Sequence, residues 1–484
     1  MNSLLKKAAR LSFMFVAGLA LSGVVEVSAQ TPRSTGTPLL QPIVITKSSS
    51  GPRVSTPSSS IPTKTIVQKQ APVPAPQPQS QPTPGINGIT KTVSVQPLYD
   101  IPVIPTAGIL VEKAAGQTVM DNASNFAFNP ASNVKLITAY AVLKTFGPNY
   151  RYPTNVWTDG TIDTATGNLY GNLYVSGRDP SFNYEHGVAI AEALNRLGIR
   201  NVNGDLVVTS SFMMNFNSSA ARSGATLYNT LNTDGRSAAA VRAWQNYSIN
   251  SGKTFTVPSV TITGKVYEEN VLPTNAKVLF SHESAPLKDI LKVTLSYSNN
   301  EMAQQLANSI GGTEAVERLN QTEQGIAPEE LQLATASGLG YNRVTPKAMM
   351  KVLRGLRNEL ARYRLKLEDV MPVAGIDPGT LANRFKAFNQ VGSVVAKTGT
   401  LGNTDGGVST LVGETRCANG DILFFVIFNQ KGGVKNYRNY QDTLVTTLQN
   451  NCGGAAPLGY NSPGFATRMA NTRVNYSAAS RSRN

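Results

Sequence analysis

Pro130-Ala-Ser132-Asn-Val-Lys135-Leu-Ile-Thr-Ala-Tyr-Ala-Val-Leu-Lys-Thr-Phe146 is the stretch on which the reading of this chain turns. From Val134 it is apolar nearly all round, through Leu136, Ile137, Ala139, Ala141, Val142 and Leu143. A helix apolar on every side is a central, buried one, and Gly147-Pro148 stops it. Ser132 and Lys135, three residues apart at its start, share one face. A serine there has free backbone N–H groups nearby and the positive end of the helix dipole, which suits a nucleophile whose attack creates an oxyanion. Lysine is ordinarily protonated and useless as a base, but burial and a neighbouring cation lower its pKa by as much as ~3–5 units. The motif alone is weak: Ser3-Leu-Leu-Lys6 matches it too, and an isolated hit reads as a serine cap beside a snorkelling lysine.

Two further elements change that reading. Lys397-Thr-Gly399 follows the apolar run Val394-Val-Ala396, so it sits on a strand. A lysine on an inner strand is costly unless its charge is needed. It can hold a substrate carboxylate and depress a nearby lysine, Thr398 can donate to that carboxylate, and Gly399 lets substrate lie against the strand edge. Ser298-Asn-Asn300, in a helical segment, offers a hydroxyl and an amide able to bridge the two lysines and bind a substrate amide. That third signal is the weakest, since Ser248-Ile-Asn250 matches by chance. Order and context decide: Ser-x-x-Lys, Ser-x-Asn and Lys-Thr-Gly, each on a plausible element, form the constellation of penicillin-recognising serine enzymes. The two histidines, His186 in a polar turn and His282, read as surface or structural residues, so a serine enzyme here needs lysine as its base.

Outward from these motifs, the 484 residues exceed one ordinary core. Two cysteines and two histidines exclude most zinc, haem and iron–sulfur sites, and no metal or cofactor is expected. The net charge of +15 sits mostly on the flanks: residues 31–95 hold six basic residues and no acid, and 96–453 carry only +3. A nucleic-acid-binding domain concentrates charge on its fold, so no nucleic-acid partner is expected. Residues 1–29, with Lys6, Lys7 and Arg10 before the apolar Leu11 to Val25 and Val27-Ser-Ala29, read as a secretory signal. The apolar stretch is short for a membrane span, so no span is expected after cleavage. Residues 30–95, with Ala71-Pro-Val-Pro-Ala-Pro76 at their centre, read as a disordered tether rich in Pro, Ser, Thr and Gln. The tail 454–484 reads as polar and irregular. Ile109 to Glu112 and Gln117 to Met120 read as a hairpin. From Tyr150 to about Phe280 the text is strand-like, apart from a helix at Val188 to Leu197. Strands follow at Val408 to Gly413 and Ile422 to Phe428, and a last helix at Tyr440 to Leu448.

The chain resembles the D-alanyl-D-alanine carboxypeptidase/endopeptidases of peptidase family S13, the penicillin-binding protein 4 type. The resemblance rests on Asn129-Pro-Ala-Ser132-Asn-Val-Lys135, Gly171-Asn-Leu-Tyr-Val-Ser-Gly-Arg-Asp179-Pro, Gly204-Asp-Leu-Val-Val208, Ser284-Ala-Pro-Leu-Lys-Asp-Ile290 leading into Ser298-Asn-Asn-Glu-Met-Ala303, Ser337-Gly-Leu339 through Thr345-Pro346, and Lys397-Thr-Gly-Thr-Leu401. It implies an α/β fold: a transpeptidase-like domain, an antiparallel sheet flanked by helices, built from 96–155 and 281–453, with a mostly-β domain inserted at 156–280. It also implies roles. Ser132 attacks the carbonyl between two D-alanines of a peptidoglycan stem peptide, and Lys135 is the base. Ser298 relays a proton toward the leaving amine, and Asn300 binds the substrate backbone. Lys397 and Thr398 hold the terminal carboxylate, and the N–H groups of Ser132 and Thr400 form the oxyanion hole. β-Lactam antibiotics acylate the same serine, in the periplasm or cell-wall space.

Three departures accompany the resemblance. Only 166 residues separate Ser132 from Ser298, so the insertion is trimmed. Tyr341 stands where the family has an arginine thought to face Asp179 across the stem's diamino acid, leaving Arg343 and Arg178 as candidate replacements. Asn299 replaces the usual aspartate of Ser-x-Asn. The alternative reading is a β-lactamase or esterase of the same fold, against which stands the lack of a Glu-x-x-Leu-Asn segment between Ser298 and Lys397. Cys417 and Cys452 flank a strand and the last helix; a bond between them would tie the two together, and otherwise they are two free buried thiols.

Overall fold

Ile109 and Val111 point to one side of their strand and Leu110 to the other, and all three are buried. A sheet buried on both faces needs a helical layer on each. The computed structural model, which describes residues 106–477, places this strand, Ala107–Lys113, in a five-stranded sheet. The order is Val394–Leu401, Val408–Arg416, Ile422–Gln430, Ala107–Lys113, Thr118–Asn122, with every neighbouring pair antiparallel. The expected signal segment and tether lie outside the described residues.

Ten α-helices lie among the described residues: α1 Val134–Phe146, α2 Tyr184–Arg196, α3 Ala220–Leu231, α4 Ala238–Ser251, α5 Leu287–Tyr297, α6 Asn300–Asn308, α7 Thr313–Gln324, α8 Pro346–Arg362, α9 Val434–Asn451 and α10 Phe465–Met469. One face of the sheet, through Leu110, Val412 and Phe428, joins a core built from α1 and α5–α8. The other, through Ile109, Leu411 and Ile427, packs on Leu444, Val445 and Leu448 of α9. α1 is buried on every side as its composition requires. Cys417 is bonded to Cys452 at the end of α9, with Cα atoms 5.6 Å apart. No helix among the described residues is long and apolar enough to cross a membrane.

The insertion leaves at the C-terminal end of α1 and returns at the start of α5. Its entry and exit are stitched together, because the Ser284 N–H donates to the Tyr152 carbonyl at 3.0 Å. It carries a six-stranded sheet whose last strand comes from the tail, in the order Val266–Glu268, Leu206–Val208, Leu173–Gly177, Pro153–Thr158, Lys277–Glu283, Arg473–Tyr476. The expectation of a mostly-β insertion is corrected, since α2, α3 and α4 all belong to it. α3 is hard to read because Gly224 interrupts it; a Cβ there would meet Val208 and Val266 at 2.9 Å, so the glycine serves close helix–sheet packing rather than a turn.

The expected irregular tail is corrected too. α10 packs against α4 and α5, and Arg473–Tyr476 pairs antiparallel with Lys277–Glu283. The tail thus straps the insertion to the central core. Its order comes from partners distant in sequence, an open sheet edge and a buried carboxylate at Asp289, which no local periodicity announces.

Candidate active site

The chain turns sharply just before α1, with Ala131 at φ 47°, a conformation most L residues avoid. Side chains and glycines hold it there. Asn129 Oδ1 accepts from the Ala131 N–H at 3.0 Å. The Thr410 hydroxyl accepts from Asn133 Nδ2 at 2.7 Å and donates to the Pro130 carbonyl at 2.9 Å. Gly338, at φ +90°, has its Cα where a Cβ would run into the Ala131 carbonyl oxygen, and a Cβ on Gly399 would meet the Pro130 carbonyl at 2.7 Å. Gly399 therefore makes room for this turn, besides leaving its strand edge open. The turn delivers Ser132, half-buried, into the 3-10 segment Ala131–Asn133 that opens α1.

Lys135 follows one turn later and is buried to 1 % exposure. Its Nζ lies 3.1 Å from Ser132 Oγ, 2.7 Å from Asn300 Oδ1 and 2.5 Å from the Ser337 carbonyl. Burial lowers its pKa to about 7, against a smaller upward pull from Glu301. Lys397, fully buried on its strand, donates to Ser298 Oγ at 2.8 Å and to the Thr398 carbonyl at 2.6 Å. Burial first, and the charge of Lys135 second, hold it well below the ordinary lysine value. Two ammonium groups cannot both stay charged cheaply in one dry pocket.

Ser298 does not lie within a helix. It sits at φ 57° in the elbow between α5 and α6, and the bend turns its hydroxyl to Lys397 while Asn300, first residue of α6, reaches Lys135. Asn299 caps α6, its Oδ1 accepting from the Met302 N–H at 2.8 Å. Asparagine caps as well as aspartate does, which accounts for its presence in Ser-x-Asn. A helix break, a strand and a helix start thus bring together two hydrogen-bonded sets, Ser132, Lys135 and Asn300 in one and Ser298 and Lys397 in the other, close enough for the charge of Lys135 to act on Lys397. A neutral lysine touching a serine hydroxyl at a helix start can take that hydroxyl's proton.

The model of the D-Ala-D-Ala carboxypeptidase 3 (S13) family matches residues 96–230 and 225–451. The chain belongs to the S13 family. It is 35% identical over 172 residues to D-alanyl-D-alanine carboxypeptidase DacB of Haemophilus influenzae, covering 32% of this chain and 34% of that protein. It is 31% identical over 200 residues to a D-alanyl-D-alanine carboxypeptidase of an Actinomadura species, covering 38% and 36%. These alignments span about a third of each relative's length. Among solved structures, the fold is similar to that of the penicillin G-acylated predatory endopeptidase Bd3459 of Bdellovibrio bacteriovorus, with a TM-score of 0.66, 22% identity, and coverage of 77% of this chain and 99% of that one. Penicillin-binding protein 4 of Haemophilus influenzae gives 0.53 at 24% identity, covering 70% and 96%.

In this S13 chain Asp179 does not join the group. Gly177, two residues before it, pairs with Thr154 just beyond the C-terminal end of α1, whereas Ser132 precedes the N-terminal end, about 20 Å away by helix rise. Asp179 is buried, and its Oδ1 accepts from the N–H and hydroxyl of Ser181 at 2.8 and 2.6 Å. Burial pushes its carboxyl up to about 6. The structure thus places Asp179 apart from the five residues around Ser132, near Tyr152 beyond the other end of α1. Arg178, its exposed neighbour, lines a cavity of about 350 Å³ with Phe146 and Tyr150 at that same far end. Arg343 is already engaged, forking onto Asp405 at 2.8 and 3.0 Å. Asp405 in turn accepts from Asn129 Nδ2 at 2.7 Å, so the pair braces the Ser132 turn. Tyr341 is 70% exposed.

His186 and His282 are both buried, their rings 5.1 Å apart. His186 Nδ1 accepts from the Asn183 N–H at 3.0 Å as part of the α2 cap, a structural use. Sequence reasoning missed Thr410, Asp405 and Thr380, whose hydroxyl accepts from Thr398 Oγ1 at 2.8 Å. No motif marks them; Thr410 faces Gly399 only through strand register.

Proposed function

We propose that this chain is a serine-type D-Ala-D-Ala carboxypeptidase/endopeptidase, a D,D-peptidase that cleaves peptidoglycan stem peptides through an acyl-enzyme on Ser132. The observation that carries the reading is Lys135 Nζ at 3.1 Å from Ser132 Oγ with its pKa lowered to about 7. Neutral Lys135 takes the hydroxyl proton as Ser132 Oγ bonds to the carbonyl carbon of the penultimate D-alanine. The N–H groups of Ser132 and Thr400 receive the oxyanion, a donor of this kind being worth ~2.7–4 kcal/mol in other serine enzymes. The C–N bond then breaks, and the proton passes through Ser298 to the leaving amine. Asn300 orients the substrate amide, and Lys397 and Thr398 hold the terminal carboxylate. Water, deprotonated by the same base, releases the shortened peptide. Penicillin carries an acyl group in the same position and traps Ser132. The same substrate places the enzyme outside the cytoplasm, in the periplasm or cell-wall space.

The test is intact-protein mass after incubation with benzylpenicillin, beside Ser132→Ala. A stable adduct of one penicillin on the native chain and none on the variant supports the reading. Rapid destruction of penicillin without adduct would favour the β-lactamase instead, and no reaction at all would overturn the assignment of Ser132.

A further inference from the structure

The Lys397 strand presents two hydroxyls to the same side, Thr398 and Thr400, because alternate strand residues face one way. Each meets a side chain from another segment. Thr398 donates to Thr380, and Thr400 Oγ1 accepts from Arg438 Nη2 at 3.2 Å. Arg438 lies in the second turn of α9 and is exposed. No carboxylate among the described residues is in ion-pair contact with it. Asp442, one turn on and the natural partner at i+4, is instead held by Arg384, whose Nη2 and Nε lie 2.6 and 2.9 Å from Asp442 Oδ1. Arg384 also donates to the Arg438 carbonyl at 3.4 Å, fixing the backbone from which the guanidinium projects. An arginine is thus anchored at its base, hydrogen-bonded once at its tip, and left with its charge uncompensated beside the candidate substrate strand.

A substrate carboxylate at this strand needs a lasting positive charge. The hydroxyls supply hydrogen bonds but no charge. Lys397, on the inner side, is wholly buried and already donates to Ser298 and to the Thr398 carbonyl, which leaves the outer side of the carboxylate open to a second, exposed cation. Arginine stays charged at any working pH, and its planar fork matches a carboxylate. We propose that Arg438 is a specificity residue of this site, receiving beside Thr400 the carboxylate at the free end of the acyl donor; this rests on the serine-peptidase reading above. The substrate class it selects is a peptide or lactam with a carboxylate next to the leaving nitrogen, over neutral amides and esters.

The experiment compares second-order acylation by benzylpenicillin and by its methyl ester, followed by intact mass, for the native chain, Arg438→Ala and Arg438→Lys. The expected result is a loss of about tenfold or more toward benzylpenicillin in Arg438→Ala, as for a hydrogen-bonded charge. The methyl ester rate should stay within about twofold, and Arg438→Lys should recover part of the loss. Equal losses toward both donors would mean that Arg438 merely supports Thr400, and no loss toward either would mean it is idle; both overturn the proposal. If the native chain reacts with neither donor, the serine-peptidase reading fails and the proposal falls with it. Arg438 is exposed, so the thermal midpoint should not move, and a fall in it would separate misfolding from lost recognition.

Discussion

Lys135 carries opposite consequences for catalysis and for stability. As a base it must be neutral, and with a pKa of about 7 it is half neutral at that pH. Acylation of Ser132 by penicillin should therefore fall about tenfold per pH unit below 7 and level off above pH ~8. A pH profile of the acylation rate measures this; a profile flat from pH 5 to 8 would remove Lys135 from the role. For stability, the unfolded chain holds its lysine proton up to about 10.5, whereas the folded chain releases it near 7. Between those values the unfolded state binds more protons, so folding gains as pH rises through the window and carries the full penalty below 7. The stability difference between the native chain and Lys135→Met should shift in the native chain's favour from pH 7 to 10, measured by urea unfolding. Sequence alone reached this residue, its serine, and the three partners Ser298, Asn300 and Lys397, because each belongs to a short motif whose spacing has a chemical reason. Asp179 lies apart from them, because a Gly-Arg-Asp-Pro turn read in sequence says nothing about which end of α1 it will occupy.

Three irregular pieces make the site: a left-handed turn before α1, an elbow between α5 and α6, and a glycine-bearing strand. The turn depends on two glycines from elsewhere in the chain. Gly338→Ala would need a methyl where the Ala131 carbonyl stands, at a φ of +90° that alanine avoids. The expected outcome is loss of penicillin acylation by at least about a hundredfold, since a small displacement of a nucleophile costs that much; normal acylation would mean the turn adapts. The elbow is braced as well. Lys292 of α5 forms a fully buried pair with Asp377 at 2.6 Å, and Thr380, three residues on, donates its N–H to the Ser296 carbonyl at 3.0 Å. Central elements were legible because α1 and the sheet strands are long and apolar. α3 and α4 were not, since Gly224, Asn229 and a run of polar residues give weak helix propensity, and packing on the insertion's sheet overrides it.

At the scale of the described residues, the strap past Gly454 reaches from the central half to the insertion's sheet. Arg468 and Asp289 form a buried pair at 2.7 Å, and the Tyr460 ring lies 4.7 Å from Lys292 Nζ. Arg468→Ala leaves a carboxylate buried without its partner, so unfolding free energy should fall by about 3 kcal/mol in denaturant titration, with acylation per folded molecule retained; a change below about 0.5 kcal/mol would show the strap to be ornamental to stability. The 35-residue loop closed by Cys417 and Cys452 contributes on the same scale, about 4 kcal/mol by chain entropy.

The stitch between Tyr152 and Ser284 has a consequence for how such chains vary. To the half that bears Ser132 and Ser298, everything between those two residues is one closed loop, and loop closure becomes dearer by only about 0.6 kcal/mol for each doubling of length. Deletions, duplications or wholesale exchange of that cassette leave the spacing of the two serines untouched, because both are set from the opposite ends of α1 and α5. Size differences among relatives can thus accumulate there as drift, while the chemistry stays in register.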